Sequence, residues 1–132
     1  MQQPELITQA EYANEAFYLA FEAKDMSAME HVWSGQNDLV CLHPGWPALH
    51  GRQAVLDSWR SILSNPQQGQ VSVYNATCQS LTDDSVLVVC YEQAGDTVMV
   101  ATNLFRLEGE RVRMVSHHAG FCGQPPPAGA KG

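Results

Sequence analysis

The sequence has little positive charge and no long apolar run. Lys and Arg together number 7 against 14 Asp and Glu, which gives a formal net charge of −7. No cluster of Lys or Arg forms a basic face, and this argues against a nucleic-acid partner. No apolar run approaches the ~20 residues of a membrane span, and Met1–Glu5 lacks the features of a secretory signal. We therefore expect a cytoplasmic protein that binds neither nucleic acid nor a membrane.

The sequence also lacks a C-x-x-C pair, although it contains four cysteines. They are Cys41, Cys78, Cys90 and Cys122. An even number of cysteines could form disulfides, but apolar, strand-like segments surround these residues and nothing indicates secretion. We predict that all of them are free thiols.

Helical patterns occupy the first half of the chain, whose 132 residues fit one domain. Thr8-Gln9-Ala10-Glu11 has capping-box spacing and predicts a helix from there to about Lys24. Asp25 can cap a second, short helix. A third helix is predicted at Arg52–Leu63, directly after Gly51. Between the second and third helices we predict a short strand followed by an irregular Pro-rich loop.

Four strands follow the helices and are joined by tight turns. They are predicted at about Val71–Ser80, Val86–Gln93, Thr97–Leu107 and Val112–Phe121. Gly95-Asp96 and Gly109-Glu110 are two-residue hairpin signals. Residues 123–132 are rich in Pro, Gly and Ala, so we predict a domain at residues 1–122 and a disordered tail at 123–132.

The two hairpin turns predict which residues share a face of the sheet. They pair Asn103 with Val88 on one side and with Ser116 on the other. One face then carries small and polar residues among apolar ones, including Cys90, Glu92, Asn103, Ser116 and His118. Such a mixture is typical of a pocket, so we assign this face to the concave side and His117 to the opposite side. A bulge in either strand would reverse the assignment and put His117 inside.

The opposite face of the sheet is also apolar. It carries Val89, Tyr91, Val100, Leu104 and Val115. Helices can cover only one face, so the second face requires another partner. A second copy of the chain is the simplest one, and we predict a homodimer through this outer face.

Three blocks of sequence resemble the SnoaL-like branch of the nuclear transport factor 2-like superfamily. The blocks are Asp25–Met29 with Trp33, His43–Trp46 with Leu49–Arg52, and Thr102–Arg106 with His117–Gly120. The resemblance implies a single α+β domain at residues 1–122. It also implies a cone-shaped, curved antiparallel β-sheet that is wrapped by three N-terminal helices.

The resemblance extends to ketosteroid isomerase, which uses an Asp base together with a Tyr and a protonated Asp as its oxyanion hole. It places His43 at the position of the base and Asn103 at that of the oxyanion Asp. The Tyr position falls on Phe17, with Tyr18 beside it. Because all three residue types differ, the isomerase mechanism is not carried over.

The predicted catalytic residues are His43, Asn103 and His118. A histidine on the loop at the pocket mouth can act as a general base, and Asn103 or His118 can act as an electrophilic partner. Each also has a structural interpretation, as a hydrogen-bonded loop or core residue. The predicted ligand-binding residues are Tyr18, Trp46, Cys90, Glu92 and Ser116.

A metal site would require His43, His118 and Glu92 to converge. The sequence has no local ligand motif such as H-x-x-x-H, so we predict neither a metal nor another cofactor. The sequence therefore predicts a pocket for a small, largely apolar molecule, in a lyase, isomerase or hydrolase with His43 as the base. The alternative is a non-catalytic ligand-binding or oligomerisation module.

Overall fold

Three helices and six strands form the fold in the computed structural model, which describes residues 1–129. The helices are α1 (Gln3–Ala23), α2 (Met26–Val32) and α3 (Arg52–Ser64). The strands are β1 (Val40–Leu42), β2 (Leu49–His50), β3 (Ser72–Thr82), β4 (Ser85–Ala94), β5 (Thr97–Glu108) and β6 (Arg111–Phe121). They form one curved, open sheet in the order β2-β1-β6-β5-β4-β3. All neighbours are antiparallel except β1 and β6, so the predicted α+β architecture is confirmed.

The first helix begins earlier than the capping-box pattern predicts. It starts at Gln3, and Pro4 occupies its first turn, where a missing backbone N–H costs nothing. Thr8 lies inside the helix, and its hydroxyl donates to the Pro4 carbonyl at 3.0 Å. The predicted cap at Thr8 is therefore wrong, because a proline in the first turn lets the helix start upstream. Lys24 ends the helix in a left-handed conformation, with φ at 55°.

The pairing of β4 with β5 follows the predicted hairpin, with Val88 opposite Asn103 and Ala94 opposite Thr97. The pairing of β5 with β6 does not. Leu104 pairs with Ser116, but the next residue, Phe105, pairs with Met114. The residue between these two partners, Val115, is therefore the extra residue of a β-bulge.

This bulge corrects two predicted site residues. Beyond it, the face of every β6 side chain is reversed, because side chains alternate along a strand. Asn103 pairs with His117, which is 1% exposed on the concave side. His118 and Ser116, which we predicted to lie inside, are on the outer face, and His118 is exposed. The prediction that His117 points outward is wrong for the same reason.

The core lies between the helices and the concave face of the sheet. Its largest fully buried side chains include Phe17, Trp33, Trp59, Phe105 and Met114. All four cysteines are free, as predicted. Within residues 1–129, no helix is long and apolar enough to cross a membrane.

The outer face of the sheet is only partly covered in the monomer. Val89, Tyr91, Val100 and Leu104 are half-buried there. The C-terminal segment runs beside β3, where the Tyr74 hydroxyl donates to the Pro126 carbonyl at 3.0 Å. The last part of the predicted disordered tail, residues 130–132, lies outside the described residues.

We expect the N-terminal cap of α2 to be measurable. The Ala28 backbone N–H donates to the Asp25 carboxylate at 3.0 Å, as the sequence predicts. Replacing Asp25 by Ala should lower the free energy of unfolding by about 1 kcal/mol in urea denaturation. Asp25→Asn is the matched control, since it keeps a capping oxygen and should change stability by only a few tenths of that amount. Equal losses in both variants would contradict the cap.

Candidate functional site

A cavity of about 250 Å³ opens between the helices and the concave face of the sheet. The residues that line it are Phe21, His43, Pro44, Trp46, Ile62, Gln68, Val71, Glu92, Ala94, Met99 and His117. His43, Glu92 and His117 are 5%, 6% and 1% exposed, whereas Trp46 is 44% exposed. The titratable groups therefore lie at the deep end of the cavity, and Trp46 lies at its rim.

The parallel pairing of β1 with β6 carries His43 to the cavity. Leu42 pairs with His118, so the next residue leaves the sheet beside β6. The His43 ring packs edge-on against Trp46 and Trp59, with ring centroids 4.9 and 4.8 Å away. Trp46 on the loop that begins at Pro44 and Trp59 on α3 thus hold the imidazole between two indoles.

The hydrogen bonds of His43 assign its tautomer. Its Nε2 lies 2.9 Å from the Ser58 hydroxyl oxygen and 3.5 Å from the Cys41 sulfur. The Ser58 hydroxyl donates its own proton to the Val55 carbonyl at 2.7 Å, so Ser58 accepts from His43 Nε2–H. The other nitrogen, Nδ1, then carries a lone pair. Burial lowers the pKa of His43 to about 4, so the ring is neutral near pH 7.

Asn103 is the centre of a buried polar network behind the cavity. Its Nδ2 donates to Asn14 Oδ1 at 2.8 Å and to the Tyr18 hydroxyl at 3.1 Å. Its Oδ1 lies 2.6 Å from His117 Nδ1. Because Nδ2 has two acceptors, the orientation of the amide is fixed and Oδ1 must accept from His117. Nδ1 of His117 therefore carries the proton and Nε2 carries the lone pair.

His117 and Glu92 face each other without forming an ion pair. Nε2 of His117 lies 3.9 Å from Glu92 Oε2, beyond hydrogen-bond distance. Burial, reinforced by the nearby His43, lowers the pKa of His117 to about 3. Burial also raises the pKa of Glu92, so each group of the pair favours its neutral form.

Tyr18 connects the network to Glu92. Its hydroxyl donates to Glu92 Oε2 at 2.6 Å and lies 3.3 Å from the Cys90 sulfur. The hydrogen bond to Glu92 favours the ionised carboxylate and opposes the effect of burial, which is the larger one. Burial raises the pKa of the Cys90 thiol to about 11, so Cys90 is no nucleophile here.

The structure distributes the predicted site residues over three places. His43, Trp46 and Glu92 line the cavity. Tyr18, Cys90 and Asn103 lie in the network behind it, and His118 and Ser116 lie on the outer face. His117, Asn14 and Ser58 were not among the predicted site residues. Asn14 could have been found, because it lies one helical turn before Tyr18 on the same face of α1.

No group of three or more His, Cys, Asp or Glu in the described chain could hold a metal ion. His118 is exposed on the other side of the sheet, so it cannot join His43 and Glu92. A second, wider groove of about 410 Å³ lies between α1 and β3. Glu11, Asn14 and Glu15 line it on the helix side, but neither histidine of the cavity reaches it. The chemistry is therefore concentrated in the smaller cavity.

We expect both cavity histidines to stay neutral in mildly acidic solution. Nitrogen-15 NMR of the imidazoles should show His43 with its proton on Nε2 and His117 with its proton on Nδ1. Neither should titrate between pH 8 and about 5, since burial holds their pKa values near 4 and 3. Asn103→Ala should change the His117 tautomer and leave that of His43 unchanged. Titration of either ring near the ordinary value of 6.5 would refute its burial.

Comparisons with known proteins agree with this geometry at the level of the fold. A solved structure from Thiobacillus denitrificans, provisionally assigned as a calcium/calmodulin-dependent protein kinase type II association domain, is 34% identical. It superposes with a TM-score of 0.74, over 85% of this chain and 94% of that one. A protein from Streptomyces avermitilis, provisionally assigned as a dehydratase of the nuclear transport factor 2-like family, is 29% identical. Its TM-score is 0.80, over 93% of this chain and all of that one.

A longer protein also contains a similar segment. The F-box protein SKIP8 of Arabidopsis thaliana is 24% identical over 107 residues, which are 80% of this chain. The chain therefore spans only about half of that relative, since the matched segment is 46% of its length. The profile of the SnoaL-like domain matches residues 10–122, which run from within α1 to the end of β6. The chain therefore belongs to the SnoaL-like domain family, within the nuclear transport factor 2-like fold.

Proposed function

We propose that this protein is an acid–base lyase that removes water from a small, mostly apolar molecule bound in the cavity. One observation carries the proposal. The same cavity is lined by a neutral imidazole with a lone pair, His43, and by a carboxyl group whose pKa burial raises, Glu92. Environments that push two pKa values apart in this way are what assign the acid and the base of an active site.

The elimination uses each group once. The lone pair on His43 Nδ1 takes a proton from a carbon of the substrate, and the electron pair of that C–H bond forms the new C=C bond. The C–O bond on the neighbouring carbon breaks, and the leaving oxygen takes the proton of the Glu92 carboxyl to depart as water. Transfer of the proton from the His43 imidazolium back to the Glu92 carboxylate restores both groups. General acid–base catalysis of this kind contributes roughly 10²–10⁴-fold to a rate.

Asn103 has a positioning role in this proposal rather than a catalytic one. It is 0% exposed and bonds to His117 and Tyr18, so it acts on the cavity through them. His118, a predicted catalytic residue, has no part in the reaction because it lies on the other side of the sheet. The Streptomyces avermitilis relative, 29% identical and provisionally assigned as a dehydratase, supports the choice of a lyase among the three predicted classes.

The reaction can be tested with 3-hydroxycyclohexanone, a small neutral ring that yields cyclohexenone and water. We expect the enzyme to accelerate this elimination, followed by the absorbance of the conjugated product. His43→Gln and Glu92→Gln should each slow the enzymatic rate roughly 10²-fold or more. Gln93→Ala, on the neighbouring exposed position, is the control and should leave the rate unchanged. Equal rates in all four proteins would sink the assignment of acid and base.

A second function, association through the outer face of the sheet, is favoured by a different observation. The half-buried Val89, Tyr91, Val100 and Leu104 present an apolar face that the three helices do not cover. The relative that is provisionally assigned as an association domain shares 34% of its residues with this chain. We propose that this face joins two copies in a homodimer, with or without catalysis in the cavity.

A charge placed on the outer face should dissociate the proposed dimer. Val100→Glu would bury an unpaired carboxylate between the two copies, at a cost of several kcal/mol. Light scattering should therefore give the mass of a dimer for the original protein and of a monomer for the variant. Leu81→Glu, at a side chain that is 51% exposed on β3, is the matched control and should remain dimeric. A monomeric mass for the unsubstituted protein at tens of micromolar would end this proposal.

A further inference from the structure

The cavity separates its apolar and polar surfaces. Eight of its eleven lining residues lack a titratable side chain, and seven of those eight are apolar, the exception being Gln68. The three titratable groups, His43, Glu92 and His117, are each more than nine-tenths buried at its deep end. A ligand that matches this wall has an apolar body near the rim and one polar end at the bottom.

The volume of the cavity limits the size of that body. Liquid water occupies about 30 Å³ per molecule. A cavity of about 250 Å³ therefore has the volume of about eight water molecules. A single six-membered ring with one or two small substituents fits in such a space.

The charges around the cavity exclude an anionic ligand. Neither Lys nor Arg is among the residues that line it. Arg106 and Arg60 are paired with carboxylates elsewhere, at 2.6 and 3.0 Å. Arg52 and Arg113 bond to backbone carbonyls beyond α2. A carboxylate or phosphate at the deep end would lose its hydration without gaining a cation.

The distance between His117 and Glu92 fits one oxygen atom of a ligand. Nε2 and Oε2 are 3.9 Å apart, too far for a direct hydrogen bond. A hydroxyl oxygen can lie within about 2.8 Å of both atoms. Its proton would be donated to the lone pair of His117 Nε2. Its own lone pair would accept the proton of the protonated Glu92 carboxyl, carried on Oε2, the oxygen that also accepts from Tyr18. The tautomer that Asn103 imposes on His117 is the one this arrangement needs.

We propose that the cavity takes an uncharged alcohol of single-ring size, with the hydroxyl oxygen held between Glu92 and His117. The inference rests on the proposed function, since it uses the same cavity and the same carboxyl group. It adds the ligand class, the place of its hydroxyl group and the exclusion of anions. Under the proposed function, the bound hydroxyl is the group that leaves as water.

The test uses two ring compounds that should bind without being dehydrated. Cyclohexanol and cyclohexanecarboxylate share the same apolar body and differ in charge. Binding to the full chain is followed by NMR, through the imidazole nitrogens of His117 and the indole signal of Trp46. We expect cyclohexanol to shift both signals, and cyclohexanecarboxylate to bind at least tenfold more weakly at pH 7.

Two tryptophan substitutions separate binding in the cavity from binding elsewhere. Ala94 is exposed and lines the cavity, so Ala94→Trp should block the mouth without disturbing the core. Gln93→Trp adds the same indole to the adjacent exposed position, which does not line the cavity. Cyclohexanol binding should weaken at least tenfold in the first variant and remain within about threefold in the second. Both variants are expected to fold, because both positions are exposed.

The ligand class and the lyase reaction can be refuted independently of each other. Carboxylate binding as tight as that of the alcohol, no binding of either ring, or equal loss in both tryptophan variants would overturn the ligand class. Alcohol binding that follows the expected pattern supports it even if 3-hydroxycyclohexanone is not dehydrated, and only the lyase proposal then fails. Dehydration accompanied by a preference for the carboxylate would leave the lyase and refute the uncharged ligand.

Discussion

The hydrogen bonds of one buried amide, that of Asn103, hold the cavity in its arrangement. A fully buried side chain must satisfy its polar atoms inside the protein, since an unpaired buried group costs several kcal/mol. Asn103 does so with three side chains on two elements: Asn14 and Tyr18 on α1, and His117 on β6. These bonds fix the distance between helix and sheet, and they also decide which nitrogen of His117 faces Glu92. A structural requirement thereby sets the chemistry of the deep end.

The same network also orients the hydrogen bond that the Glu92 carboxyl group accepts. Asn103 donates to the Tyr18 oxygen, so the Tyr18 proton is directed to Glu92. One oxygen of Glu92 is thus occupied by a donor, which limits how far burial can raise its pKa. On the opposite side, Ser58 plays the corresponding part for His43, because its own proton is committed to a helix carbonyl. Both cavity imidazoles owe their tautomers to neighbours that do not line the cavity.

The sequence predicted the fold well because its strongest signals are local. Gly95-Asp96 forms the turn between β4 and β5, and Gly109-Glu110 forms the turn between β5 and β6. Asp25 caps α2. The face of His117 could not be predicted, because the bulge at Val115 carries no Gly or Pro that would mark it. A single extra residue exchanged the sheet faces of His117 and His118. His118 therefore lies outside the cavity, where it can serve neither the catalytic role predicted for it nor the metal site that was considered. The side-chain network across α1, β4 and β5 depends on distances that strand parity alone cannot give.

Burial of these groups also inverts their usual order of proton loss. In water a glutamate with a pKa of 4.5 ionises before a histidinium with a pKa of 6.5. Here the pKa of His43 falls to about 4 and the pKa of Glu92 rises above 4.5, so the imidazole is already neutral at a pH where the carboxyl still holds its proton.

These shifts also affect stability. Because the pKa values of the histidines are lowered in the folded protein, the unfolded chain binds more protons as pH falls from 6.5 toward 4, which lowers stability there. The raised Glu92 value acts with the opposite sign, since the folded chain keeps a proton that the unfolded chain releases, and stability falls as pH rises through it. The state with a free base and a protonated acid thus occupies the window between these two pKa values. In that window burial costs the protein folding free energy at three groups, and the same burial gives the cavity both partners of a proton-transfer reaction.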